Sequence, residues 1–566
     1  MHADLSRLTF RPERHYSAVL AQQGRVQLDA DANEQTVIEL VGRRALTADL
    51  IGQHGGPAGA TGFAITFQGG KRDLDDLVIG SGRYYVDGIP LDADRPQPGV
   101  PVPDEDADAD ADDAQVAPDA AAPTAAAPWT YWDQPDAYLD RERAGDRLPT
   151  RFPFVVYLKV WERSVTAAED PALREVALGA ALPDTAARVK VVWQVRPLPL
   201  SELPELAAAG GSDAAQPTPD EVRRAFRAWA DRQEAPGARI ALRAERPERA
   251  DEDPCLVAPD ARYRGPENQL YRVEVHDGGS AREATFKWSR ENGSVVFPVD
   301  DLDGTWVQLA TLGGDTKLDL DVGDRVEFVD SAYASRLEPL PLLRVEELDL
   351  PGRRVRLSGE PAQGVARRPE LNPYLRRWDH RDGHRRPSGG TRPGAGARVQ
   401  HGAVRIEEGR WLPLEDGVEV YFAPGGSYRT GDFWCAPART ATGTVEWPTD
   451  AARRPLLQPP LGVAVHHAPL ALVTGEQGAV DLRLAFGPLA GAIPAASAEQ
   501  LAAEREARQE EIAAETTSGQ NPRSETTAGA EAAAAPDADT GAAGAAGQGK
   551  DRDPGAGGGR GGRRHG

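Results

Sequence analysis

"ATFKWSRENGSVVFPVD", Ala284 to Asp300, decides how the chain is read. Apolar and polar residues alternate on both sides of Asn292-Gly293, a dipeptide suited to a two-residue type I′ turn, in which both central residues take positive φ. That turn would set Glu291 opposite Ser294, Trp288 opposite Phe297 and Phe286 opposite Val299. The last two pairs share a face and make a cross-strand apolar ladder. The expectation is an antiparallel hairpin buried on one side.

A second hairpin is expected in "RVEELDLPGRRVRLSG", with Pro351-Gly352 at the centre of a type II turn. Its register sets Asp349 opposite Arg354, Glu347 opposite Arg356 and Leu348 opposite Val355, with charge on one face and apolar groups on the other. "LDVGDRVEFVDS" adds a strand just before it, so residues 300–361 are expected to form a small, barrel-like all-β module. "FVVYLKVWERSV" (Phe154–Val165) and "RVKVVWQVRPL" (Arg188–Leu198) are strand-like through their β-branched and aromatic content. In "ENQLYRVEVHDGG", Leu270, Arg272, Glu274 and His276 alternate with Tyr271, Val273 and Val275, the pattern of a half-buried strand. Further strands are expected at "GVEVYF", "GDFWCAPART" and "APLALVT".

The fold class is thus mainly β, multi-sheet and hairpin-rich, with a barrel-like module, an N-terminal α-helix and a disordered C-terminal tail. The chain divides into 1–100 with the helix and first strands, an acidic Asp/Ala/Pro linker at 101–128 and a β segment at 129–202. A linker-like insertion with a short helix follows at 203–254, then a hairpin segment at 255–299 and the module at 300–361. Residues 362–496 form a last β segment, and 497–566 begin as an Ala/Glu helix and end in Gly/Ala-rich sequence. In the insertion, Asp220 is expected to cap a helix with Val222, Phe226 and Trp229 on one stripe.

The N-terminal helix carries the one motif that resembles a metal loop. Asp29, Asp31 and Asn33 alternate as a calcium loop begins, but such a loop needs Gly at its sixth position and an acid at its twelfth. Counted from Asp29, those positions hold Glu34 and Leu40. A capped helix fits better, with Asp31 as N-cap, Glu34 in capping-box spacing, a Val37/Val41/Ala45/Ala48 stripe and Gly52 as stop.

No other chemistry stands out. The sequence offers no GxSxG, HExxH or GxxxxGK[ST], and no GxGxxG between strand and helix. Cys255 and Cys435 are its only cysteines, read as inert thiols. "WDHRDGHRR" brings His380 and His384 together, but its arginines and Gly383 favour a solvated loop over a zinc site. His466 and His467 would point to opposite faces of a strand, and His15 is read as a packing histidine. No catalytic, cofactor or metal residue is assigned, and the expectation is a non-enzyme without a cofactor. Asp31, Glu34, Trp288, Asn292, Gly293, Phe297, Pro351 and Gly352 are assigned structural roles.

The formal charge of −23 over 566 residues argues against a nucleic-acid partner. Neither a signal peptide nor an apolar run of membrane-spanning length is visible, which implies cytoplasmic synthesis. Several stretches together, among them "RYYVDGI", "VYLKVWERSVT", "CLVAPDARYRGPENQLYRVEVHDGG", "SYRTGDFWCAPARTATGTVEWP" and "HHAPLALV", resemble an uncharacterised bacterial family. That family is encoded beside extracellular contractile injection systems, which are phage-tail-like particles. The resemblance runs from about Asp4 to Phe486, and this chain has Ala32 where Trp is usual. It implies a structural or accessory part at a baseplate, fibre or attachment surface, with other particle subunits as partners, a trimeric state, and release in a particle or action at a cell surface. A delivered cargo effector or hydrolase is one alternative. A glycan-binding module using Trp161 or Trp434 as stacking faces is another, set against core packing of both rings.

Overall fold

The computed structural model describes residues 2–69, 75–96, 127–179, 183–207, 217–235, 237–245, 262–313, 317–381 except 363 and 366, 399–475 and 478–489, with a few isolated positions beyond. The chain forms two compact units, Met1–Pro488 and Leu489–Gly566. In the second, Ala503, Glu506, Gln509 and Glu510 are helical, as the Ala/Glu pattern predicts. Most of the acidic linker and of the Gly/Ala-rich tail lies outside the described residues, as do Cys255 and His384.

In chain order, the elements that position the site are α1 (Asp29–Ile51), β1 (Phe154–Val165), β2 (Arg188–Pro199), α2 (Pro219–Glu234), β3 (Gln269–Val275) and β4 (Thr285–Ser289). They continue with β5 (Val296–Asp303), β6 (Trp306–Leu309), β7 (Arg325–Val329), β8 (Leu343–Asp349), β9 (Arg354–Leu357) and β10 (Tyr374–Trp378). Last come β11 (Ala403–Arg405), β12 (Phe433–Arg439) and β13 (Val465–Gly475).

Three β bodies make up the first unit. In one, β13, β1 and β2 pair antiparallel. One face of this sheet, with Val156, Leu158 and Trp193, packs on the N-terminal strands. Its other face, with Val155, Leu198 and Leu472, receives α2 through Val222, Phe226 and Trp229. In the second body, β11, β4, β3 and β12 lie side by side in a six-stranded sheet. Its inner face packs Tyr271, Val273, Phe286 and Trp288 against Leu242, Val420 and Phe422 of a three-stranded sheet, as in a sandwich. The third is a closed barrel in the order β5-β6-β9-β8-β7-β10.

The barrel module is present as expected, with wider bounds: it begins at Val296 and needs Tyr374–Trp378 to close. The register at its β8–β9 hairpin is the predicted one, Asp349 to Arg354, Glu347 to Arg356 and Leu348 to Val355. The turn type differs. Arg353, with φ 52°, takes the left-handed conformation expected of Gly352, and its N–H donates to Leu350 O. The turn is therefore not type II. The Asp349 carboxylate accepts from the Gly352 N–H at 3.2 Å, and a Cβ on Gly352 would meet it at 2.3 Å.

The opening stretch is corrected more deeply. Asn292 (φ 53°) and Gly293 (φ 65°) do make the turn, closed by the Ser294 N–H donating to Glu291 O at 2.9 Å. The strands leaving it part company, however. β4 pairs with β3 and β11, while β5 pairs with β6 and β10, so both edges of each strand are already taken. Trp288 enters the sandwich core and Phe297 the barrel core, and the predicted ladder does not form.

Both helix caps also move. α1 begins at Asp29, so Asp31 is its third residue, and the Asp31 carboxylate accepts from the Leu28 N–H at 3.2 Å. Asp31 supplies the acid of the cap and not the N-cap itself, and Glu34 lies beyond the first turn. Asp29 is held by Ser6, whose N–H and hydroxyl donate to it at 2.9 and 2.6 Å. The expected stripe stays outside: Val41 and Ala45 are exposed and Val37 and Ala48 only half-buried. α1 docks through polar contacts instead, chiefly Arg44 to Glu162 at 2.5 Å. In α2 the cap is Thr218, boxed with Glu221, and not Asp220, which pairs with Arg223.

Residues 203–254 are thus more than a linker, because the face of α2 closes the β1–β13 sheet. Phe226→Ala should lower unfolding stability by about 3–5 kcal/mol, as for other buried Phe truncations. A denaturant titration in which this variant matches the parent would show that α2 is detachable.

Candidate functional site

β3 is buried at every position, not half-buried as its alternation suggests. Tyr271, Val273 and Val275 face the sandwich core, so Arg272, Glu274 and His276 point to the other face, where period two places them together with Lys287 of β4. The barrel covers that face, which carries a buried charge cluster instead of a solvated surface.

Lys287 joins the two bodies. Its Nζ lies 3.2 Å from Glu274 on the neighbouring strand and 2.8 Å from Glu327 on β7 of the barrel, and 4.4 Å over the Trp378 ring. Glu327 also accepts from Trp378 Nε1 at 3.0 Å and faces Arg376 at 3.6 Å. Arg376 donates to the Tyr374 hydroxyl at 2.9 Å, and that hydroxyl reaches Glu169 at 3.3 Å. Glu169 is paired with Arg163 of β1 at 2.5 Å, so the network reaches the first body as well. Arg272 donates to Glu274 at 2.6 Å and lies 3.7 Å over the Phe433 ring.

The N-terminal segment seals one side. The His2 imidazole meets Glu274 at 2.8 Å, and the backbone N–H of His2 donates to Ser164 Oγ on β1 at 2.8 Å. Asn292 of the turn donates to Ala3 O at 2.9 Å and accepts from Arg272 at 3.3 Å and from the Cys435 thiol at 3.4 Å. A Cβ on Gly293 would come 2.8 Å from the His2 ring, so this glycine serves both its φ and the seat of His2.

Burial and charge fix the protonation states. Burial alone would raise Glu274, but Lys287 and Arg272 outweigh it and hold the carboxyl well below its ordinary value. For Glu327, burial is again outweighed, by Lys287 and Arg376. Burial, reinforced by Arg272 and Arg376, pushes His2 well below its usual value, and burial with Lys287 takes His276 to about 4. The cluster thus holds charged carboxylates beside neutral imidazoles.

Among the structural residues picked from sequence, Asn292 and Gly293 lie at this junction. Trp288 packs on the far side of the sheet, Phe297 in the barrel and Pro351-Gly352 at a barrel turn, while Asp31 and Glu34 lie on α1. Sequence reasoning missed His2, Arg272, Glu274, Lys287, Glu327 and Arg376. A signal was present, since opposite charges recur at spacing two on strands also rich in core residues, but it reads equally as a solvent face. "WDHRDGHRR" is corrected too. Trp378, Asp379 and His380 are buried, His380 Nε2 bonds Gly402 O at 2.7 Å, and burial takes its imidazole to about 4. Trp161 and Trp434 are buried, which is core packing and removes them as glycan-stacking faces. His466 and His467 do diverge, to Asp87 and Glu234, whereas His15 is exposed. Cys435 is buried and burial raises its thiol. Among the described residues, no group of three or more His, Cys, Asp and Glu is arranged to hold a metal ion, and no helix is long and apolar enough to cross a membrane.

The comparison with family models covers nearly the whole chain, over residues 1–104, 119–203 and 202–564. The chain belongs to the DUF6519 family, a family of unknown function. No curated protein and no solved structure matches it. The matched residues include all three β bodies that meet at the cluster.

Acid should loosen this junction. A depressed folded pKa contributes stability that is present above the unfolded value and lost as pH falls through the folded one. His2, His54, His276, His380 and His467 are all lowered, so loss should begin near pH 6.5, the ordinary imidazole value, and Glu274 and Glu327 extend it at lower pH. Burial raises five carboxyls, Glu415 to about 7, Asp432 to about 6, and also Asp76, Glu291 and Glu419, and these act in the opposite sense and offset part of the loss. Melting temperature should therefore fall steadily from pH 7 to pH 5, and His276→Asn should make the fall shallower. A flat profile would contradict the assigned protonation states.

Proposed function

We propose that this protein is a non-catalytic structural subunit of a larger assembly, held there by its N-terminal arm and α1. One observation carries the reading: the arm and α1 hold many large apolar groups that the body leaves uncovered. Leu20 is 83 % exposed, Val26 84 %, Val41 43 %, Leu46 61 % and Leu50 58 %, all within the arm and α1. A folded chain gains nothing by leaving so many large apolar groups in water on one segment, and such clusters mark protein contacts. The Val37/Val41/Ala45/Ala48 stripe has helical spacing and lies on the opposite side of α1 from Leu46 and Leu50, so α1 exposes apolar groups on both sides.

Two further features support a structural role. The main polar cluster is buried and ties three β bodies together, as a rigid scaffold requires. The sequence also resembles proteins encoded with phage-tail-like contractile injection systems, which makes a baseplate, fibre or attachment position in such a particle the assembly we assign. A homotrimer would present three such arms.

Val41→Glu with Leu46→Glu should leave the melting temperature within about 1 °C of the parent, as surface changes usually do. The same double variant should fail to co-purify with sheath and baseplate at the parental stoichiometry. Incorporation at parental level would remove the arm and α1 as the attachment surface, and recovery of the parent only from the tube lumen would favour a delivered cargo.

A further inference from the structure

Beside the charge cluster lies a cavity of about 120 Å³, bordered by β1, β3, β4, the barrel and His2. Four of its lining side chains carry a buried nitrogen without a hydrogen-bond partner: Trp161 Nε1, Arg163 Nε, His276 Nε2 and Arg376 Nε. Trp161 and His276 are fully buried, and Arg376 nearly so. Buried donors are nearly always satisfied, so several orphans around one cavity call for an acceptor. The indole and guanidinium nitrogens can only donate, which makes the missing partner acceptor-rich.

Charge points the same way. In the buried network, Arg163, Arg272, Lys287 and Arg376 face three carboxylates, Glu169, Glu274 and Glu327. Glu162 and Glu338 also line the cavity, but Glu162 is taken by Arg44, and Glu338 by Arg143 and Arg336. One positive charge is left over. The volume exceeds the roughly 30 Å³ share of one water and suits a few heavy atoms. Leu337, Glu338 and Pro339, half-exposed, border the cavity on the solvent side.

We propose that this cavity binds a small oxyanion, a carboxylate or phosphate, held by the Trp161 indole N–H and the Arg163 and Arg376 guanidinium groups. The ligand completes the junction between the β bodies and so couples a small solute to the rigidity of the scaffold. This goes beyond the structural reading and does not depend on what the exposed apolar groups of the arm and α1 contact.

The test uses the full chain, titrated calorimetrically with sodium acetate and, separately, inorganic phosphate. At least one should bind at one site per chain and raise the melting temperature. Trp161→Phe, which removes one donor and keeps the ring bulk, should weaken that binding about tenfold or more, in line with a lost hydrogen bond to a charged group. Arg163→Lys, which keeps the pairing charge to Glu169 but loses the Nε donor, gives a second reading if the first variant folds poorly. Crystals soaked in the probe that binds should show its density inside the cavity. Absence of binding by both probes, affinity unchanged in both variants, or ordered water alone in the cavity would overturn the proposal.

Discussion

Lys287 is the constraint on which the rest of the structure depends. Its ammonium is buried between Glu274 of the sandwich sheet and Glu327 of the barrel, and it can remain charged there only because both carboxylates remain in place. An unpaired charge at that depth would cost several kcal/mol, so neither body can move away without leaving one behind. The remaining contacts follow from this requirement. Arg272 and His2 complete Glu274, while Trp378 and Arg376 complete Glu327. Through Tyr374 and Glu169 the same network reaches Arg163 on the first body.

This arrangement explains why the six-stranded sheet has two buried faces of opposite character. Its inner face is apolar and makes an ordinary sandwich core. Its outer face meets another folded body whose own strands carry charge, and the two charged faces interlock by sign. An interlock of this kind adds less net stability than an apolar contact of equal area, but it tolerates only one registration. For the structural subunit proposed above, definition of position would be the useful property. The unabsorbed apolar surface lies elsewhere, on the arm and α1, where a neighbour can reach it.

Much of the β architecture was legible in the sequence. The strand Phe154–Val165 and the Asp349–Arg354 register are local patterns, set by alternation and turn chemistry within a few residues. The Asn292-Gly293 turn was legible for the same reason, since its two positive φ values need those residue types. What followed the turn was not, because whether β4 and β5 pair depends on β10 and β11, residues some 80 to 110 positions later. The α1 stripe has a core-like period yet is exposed, since period reveals a face and not what covers it. The charge cluster was hidden in a related way: Arg272 and Glu274 look solvated until the barrel is placed over them. The Leu28 cap depended on Ser6 occupying Asp29, a contact between segments 23 residues apart.

A double-mutant cycle between Lys287 and Glu327 tests the central claim most directly. Lys287→Met, Glu327→Gln and the double variant should be unfolded in denaturant alongside the parent. Each single change should destabilise by about 3–5 kcal/mol, because each removes one partner from a buried charge. The double variant should recover part of that loss, with a coupling of about 1–3 kcal/mol between the two sites. Near-neutral single variants with strictly additive effects would contradict a junction held by this pair.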